Sequence, residues 1–183
     1  ATATLAAPTG CGGTVTYCAA SSKHSNKIWI QEVQFNETKR SSASHYSDFT
    51  SNTFHLVARD YTSLMTVTGN SVKSNFPVNY KAWIDWNKDG DFTDAGEEVM
   101  SETGNSYSGG TSVLMFVPNT PVTTRMRVAV SYGGSANSGG AVPTPCGTFT
   151  YGEVEDYTIN VILPPVPAVP TDIYTSCTFS NST

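Results

Sequence analysis

Asp85-Trp86-Asn87-Lys88-Asp89-Gly90-Asp91 sets short oxygen-bearing side chains at alternate positions around a glycine. Asp85, Asn87, Asp89 and Gly90 match D-x-[DN]-x-[DN]-G, the first half of a calcium loop. Calcium takes about six to eight oxygen ligands, and alternate short side chains on a tight loop converge on one point. Gly90 lets the backbone turn sharply, and Asp91 can add its carbonyl. Asp94, Glu97 and Glu98 are placed to close the shell. Six acidic groups fall within the fourteen residues 85–98, and without a cation they would repel one another. The expected ligands are Asp85, Asn87, Asp89, Asp91, Asp94 and Glu97, and the expected cofactor is Ca2+. Magnesium suits the set less, because it keeps water and takes few carboxylates. The rival is an acidic surface turn with no bound metal. The twelfth loop position is Gly96, where an EF-hand carries Glu, and the preceding Tyr80-Lys81-Ala82-Trp83-Ile84 alternates like a strand. The loop is therefore expected on a β scaffold, as a rigid clamp.

A second set of charges lies in two expected strands. Glu153 and Glu155 share one strand face, Val154 and Asp156 the other, and Arg125 and Arg127 share a face of their own strand. If the strands lie side by side, Arg125 and Arg127 pair with Glu153 and Glu155 and fix the register. The rival is a second metal site using Glu153 and Asp156.

Other chemistry is absent from the sequence patterns. His24, His45 and His55 form no HExxH, and there is no GxSxG elbow. A non-catalytic chain is expected. Aromatics are 11% of residues, and Tyr46, Phe49, Trp86, Tyr107, Tyr132, Phe149 and Tyr151 fall in expected loops. Sugar rings stack on exposed aromatic faces. Trp86, Tyr107, Tyr132 and Tyr46 are the ligand-binding candidates, with a polysaccharide or other glycan as the expected partner. A protein surface is the alternative partner, and a structural spacer is the third reading. Lys23, Lys27, Lys39 and Arg40 would favour a sulfated glycan but form no dense basic cluster. Trp83 is expected in the core.

The elements that must position these residues read as strands. Thr14–Cys18, Lys27–Phe35, Asp60–Thr68, Asn79–Asp85, Ser112–Val117, Thr124–Ser131 and Glu153–Leu163 alternate or carry β-branched and aromatic residues. In Lys27–Phe35, the residues Trp29, Gln31, Val33 and Phe35 are expected on one face. Residues 36–53 and 132–148 read as loops. The fold expected is all-β, an antiparallel β-sandwich or jelly roll. Residues 1–13 read as a leader or linker, 14–163 as the sandwich, and 164–183 as a Pro-rich linker and tail or the start of another module.

The chain has 183 residues, enough for one domain with a core. Its net charge of −5 argues against nucleic acid, which needs basic density, and against anionic lipid. No apolar run reaches the roughly 18 residues of a membrane span. Without an initiator Met, the chain is expected to be a piece of a longer precursor and to act as a monomeric module. Cys11, Cys18, Cys146 and Cys177 form no zinc pattern and are expected in two disulfides of an exported protein. Cys11–Cys177 with Cys18–Cys146 and Cys11–Cys18 with Cys146–Cys177 both stay open.

Tyr17-Cys18, the run Trp83–Phe92, Val117-Pro118, Arg125–Val128, Pro145-Cys146-Gly147 and Tyr151–Thr158 together resemble the GEVED domain family. The resemblance runs from about Tyr17 to Val161. It implies a β-sandwich accessory domain of large secreted bacterial proteins, beside metalloproteases, glycoside hydrolases or adhesin-like modules. It implies no particular ligand.

Overall fold

A computed structural model describes residues 15–35, 38–40, 43–59, 63–73, 76–106, 109–134 and 139–165. The expected leader, most of the expected tail, Cys11, Cys177 and Tyr107 lie outside them. The described residues hold ten strands and no helix: β1 (Ala20–His24), β2 (Ile28–Gln34), β3 (Thr38–Arg40), β4 (Tyr46–Val57) and β5 (Ser63–Ser71) come first. They are followed by β6 (Val78–Ile84), β7 (Glu98–Ser106), β8 (Thr111–Met115), β9 (Val122–Tyr132) and β10 (Gly147–Ile162).

Two sheets form. One is six-stranded, ordered β1-β10-β9-β6-β7 with β4 also on β10; the other is four-stranded, ordered β3-β2-β5-β8. Alternating residues from both meet in one core, including Ile28, Ile30, Met65 and Val67 from the smaller sheet and Tyr80, Val128, Tyr157 and Ile159 from the larger. Burial of such side chains supplies the main driving force of folding. The architecture is a β-sandwich, as expected, but the larger sheet is mixed rather than purely antiparallel. β10 runs antiparallel to β9 and parallel to both β1 and β4. The first part of β10 pairs with β1 and the rest with β4, so two neighbours share one edge of a long inner strand.

The strand expectations for β5, β6, β8, β9 and β10 hold in their main spans. Four others need correction. Residues 15–19 are irregular, and the first strand begins at Ala20. The segment 36–53, read as loop, contains β3 and most of β4, because its Ser and Thr residues pair with neighbouring strands. β7 lies in the acidic segment after the calcium-type loop. In β2 the inward residues are Ile28, Ile30 and Val33, with Phe35 just beyond, because a register shift between Ile30 and Glu32 changes the face.

The outer face of the larger sheet is also covered. Trp83, Ala129, Val154, Ala20, Phe92 and Phe149 form a second apolar cluster, flanked by Tyr17 and Tyr46. Trp83 is therefore buried, but in this outer layer rather than between the sheets. The segment 15–19 crosses the layer as a strap. Cys18 is bonded to Cys146 across a separation of 128 residues, which resolves one half of the first pairing considered. In the chain-entropy account such a bond stabilises by on the order of 3–5 kcal/mol.

Candidate functional site

β6 ends at Ile84 and β7 begins at Glu98, so the acidic loop spans two adjacent antiparallel strands. Asp85 is fully buried at its root. Its Oδ1 accepts from Lys88 N (2.6 Å) and Asp89 N (3.2 Å), and its Oδ2 from Gly90 N (3.1 Å) and Tyr17 Oη (2.8 Å). Four donors match the lone-pair capacity of a carboxylate, so Asp85 organises the turn. Lys88 and Gly90 take positive φ, 61° and 99°. A side chain at Gly90 would strike Val15 and Thr16 of the strap, so only glycine lets the loop pack there.

Glu97, also buried, closes the other end. Its oxygens accept from Trp86 N (3.1 Å) and Asp94 N (3.2 Å). Burial pushes its carboxyl above the ordinary range, and Asp85 and Asp89 add to that. Asp91 turns aside, accepting from the N–H and hydroxyl of Thr93. The remaining three side chains converge. The Asn87 amide Nδ2 donates to Asp89 Oδ2 (2.8 Å) and Asp94 Oδ2 (2.5 Å). Turning the amide over would present three oxygens to that point, at the loss of the bond that Asn87 Oδ1 accepts from Asp89 N (3.1 Å). Among the described residues no three His, Cys, Asp or Glu side chains form a metal-holding group; here two carboxylates meet on one amide. The donor set of Asn87, Asp89 and Asp94 fits a hard cation, with Asp85 and Glu97 holding the backbone around it.

Of the aromatic candidates, Trp86 is half-buried and its Nε1 donates to Gly96 O (3.2 Å). It lines a groove of about 440 Å³ with Gly96, Val99, Met115, Phe116 and Pro118. Phe116 is 51% exposed. Tyr132 packs on Phe76 with centroids 5.1 Å apart and lies 5.3 Å from the Lys27 ammonium. Tyr46 donates its hydroxyl to Asp156 Oδ2 (3.0 Å), and burial followed by the Asp156 charge pushes it up to about 12.

The expected ion pairs need correction. Arg127 stands opposite Asp156 in the β9–β10 register, whereas Glu155 stands opposite Val128 and Glu153 opposite Val130. Directly opposed residues share a face, so the arginines meet Asp156 and the two glutamates point to the other face. Arg127 binds Asp156 through Nε (2.7 Å) and Nη2 (2.8 Å), with both side chains buried. Its Nη1 donates to Cys18 O (2.9 Å) and Pro145 O (2.6 Å), clasping the two arms of the disulfide. Arg125 adds one longer contact to Asp156 at 3.3 Å. Because Glu153 and Asp156 lie on opposite faces, they cannot share one metal.

Glu153 instead accepts from Ile30 N and Ser44 N, each at 2.9 Å, joining β10 to the irregular point of β2 and to the lead into β4. Glu155 accepts from the Tyr157 hydroxyl (2.7 Å). Burial first, then the Glu155 charge, pushes Glu153 from 4.5 up to about 8. A raised acid binds more protons folded than unfolded. Its stabilisation is therefore complete below pH 4.5 and is lost as pH rises to about 8. Glu153→Gln keeps an acceptor and removes the charge. Denaturant titrations are expected to show wild-type stability falling across this window by up to about 1.4 kcal/mol per pH unit, with a flatter profile in the variant. Equal slopes would reject this role.

The GEVED domain family model matches residues 79–160, from β6 into β10. No curated protein and no solved structure matches the chain.

Proposed function

Residues 79–160 belong to the GEVED domain family, and from that premise we propose that the chain is a non-catalytic, calcium-stiffened carbohydrate-binding module of a secreted bacterial protein. In this reading it holds an attached enzyme on polysaccharide. The observation that carries it is the groove beside the loop, with Trp86 on one wall and exposed Phe116 on another. Two apolar rings on an open surface suit the C–H faces of sugar rings. The Cys18–Cys146 bond supports an oxidising compartment.

Calcium would be held by Asn87, Asp89 and Asp94, and when bound it would supply charge neutralisation and fix the loop that carries Trp86. The chain's own residues do the rest. Asp85 and Glu97 cap the loop's backbone N–H groups, and Trp86 Nε1 ties its ring to Gly96.

Native affinity electrophoresis in neutral polysaccharides tests the reading. Retardation is expected, weakened by up to about tenfold in Phe116→Ala and Trp86→Ala. Calcium at a hundred times its Kd is expected to add about 2.7 kcal/mol of stability, and Asp89→Asn with Asp94→Asn to abolish that gain. An unchanged melting curve in excess EGTA would reject calcium, and no retardation by any neutral glycan would reject the groove. A second reading, a protein-contact or adhesion module, draws on the exposed pair Leu64 and Leu114, which face each other across β5 and β8 beside Phe116. Capture of a protein partner that Leu114→Ser abolishes would favour it.

A further inference from the structure

On the other side of the loop, a furrow of about 300 Å³, with Val15 on one wall, runs over the outer face of the larger sheet. Its walls include Tyr17, Lys88, Arg125 and four threonines, Thr50, Thr123, Thr124 and Thr158. Two features of its hydrogen bonding are complementary.

First, cationic donors are in surplus. Asp156 is already gripped at both oxygens by Arg127 and accepts from Tyr46. Arg125 gives it one contact at 3.3 Å and lays its guanidinium over the Tyr17 ring, 4.4 Å from the centroid. A guanidinium has five N–H donors, so most of Arg125's have no protein acceptor among the described residues. Lys88 is exposed, and its ammonium likewise has no acceptor there. The acidic groups around them are engaged: Asp85 by its four donors, and Asp48 by the N–H and hydroxyl of Thr50.

Second, the threonine hydroxyls have spent their protons. Thr50 donates to Asp48, Thr123 to Asn160 Oδ1 (3.1 Å), Thr124 to Asp85 O (2.6 Å) and Thr158 to Thr50 O (2.7 Å). Each can now only accept. The furrow therefore offers cations for an anion and, on Thr50, Thr123 and Thr158, acceptor oxygens for hydroxyl donors, while Thr124 is buried against Tyr17. A simple inorganic anion uses only half of this; a neutral sugar uses only the other half.

We propose that this furrow is a subsite for an acidic saccharide, whose carboxylate or sulfate ester meets Arg125 and Lys88 while its hydroxyls donate to the threonine oxygens. This deepens the carbohydrate-binding reading by naming a class of sugar, and it rests on that reading, but it uses a different surface from the Trp86 groove. The net charge of −5 means that no long-range attraction draws a polyanion in, so recognition depends on these short contacts.

The test is native affinity electrophoresis of the chain in saturating calcium, through gels containing hyaluronan (carboxylate), dextran sulfate (sulfate ester) or plain dextran (neither). Retardation by hyaluronan, dextran sulfate or both is expected, and which gel retards assigns the anionic group. Arg125→Gln is expected to raise the apparent Kd by roughly tenfold or more. Lys88→Gln should weaken binding by a smaller factor, with no change in melting, since its ammonium makes no internal contact. Lys88→Gln thus keeps the test valid if Arg125→Gln melts early, and Arg125→Lys should recover part of the affinity. Phe116→Ala should leave acidic-glycan binding intact, which separates failure here from failure of the Trp86 groove. No retardation by either polyanion, or unchanged retardation in both Arg125→Gln and Lys88→Gln, would overturn the proposal.

Discussion

Arg127→Ala is expected to lower the unfolding free energy by about 3–5 kcal/mol, read from urea denaturation. The substitution leaves the Asp156 carboxylate buried, without its two-pronged partner. It also strips the donor from Cys18 O and Pro145 O. A double replacement separates these effects. Exchanging a buried ion pair for apolar residues of similar volume is often neutral or better. If the pair alone matters, Arg127→Met with Asp156→Leu should regain nearly everything. Here it is expected to regain only part, because two carbonyls beside the disulfide lose a donor in either case. A loss below about 1 kcal/mol for Arg127→Ala would show that the buried pair does not hold the sheet.

Gly152→Ala is expected to cost about 3 kcal/mol or more, combining backbone strain with a steric clash. Gly152 has φ 152°, and a Cβ there would stand 2.0 Å from Val130 O and 2.5 Å from Phe149 Cε2. The first obstacle is backbone of the paired strand β9, so it cannot swing away as a side-chain tip could. Relief requires β10 to part from β9 next to Glu153 and Asp156. Thermal unfolding should show an early transition, and a shift equivalent to less than about 1 kcal/mol would mean that the close approach has room to relax.

The central part of this fold was legible because its chemistry is local. β6, β9 and β10 have the alternation or apolar density of buried strands, and the acidic loop follows a fixed spacing. What stayed hidden depends on register and on partners. β4 reads as a polar loop because Ser and Thr carry no apolar signal. The face change in β2 comes from a single irregular pairing near Ile30. The correct partner of Arg127 depends on which residue lies opposite, and a one-residue difference exchanges Glu155 for Asp156. Spacing in the loop put Asn87, Asp89 and Asp94 in one expected set, and in the structure the Asn87 amide joins the two carboxylates. It could not show that Asp85 and Glu97 spend their oxygens on backbone N–H groups, nor that Tyr17, far upstream, reaches the same carboxylate. The furrow was invisible for the same reason: Tyr17, Lys88, Arg125 and Thr158 come from four separate places in the chain.

The position of β10 also sets the order of assembly. It is the last described strand in the sequence, yet it lies inside its sheet, with β9 on one edge and β1 and β4 on the other. Until it is made, β1 and β4 have no partner strand in that sheet. A ribosome therefore delivers the keystone after the stones that lean on it. Closing so many distant pairings together makes folding slow. During that interval the unpaired edges of β1, β4 and β9 are open to other chains, and the newly made protein depends on staying apart from its copies until β10 arrives.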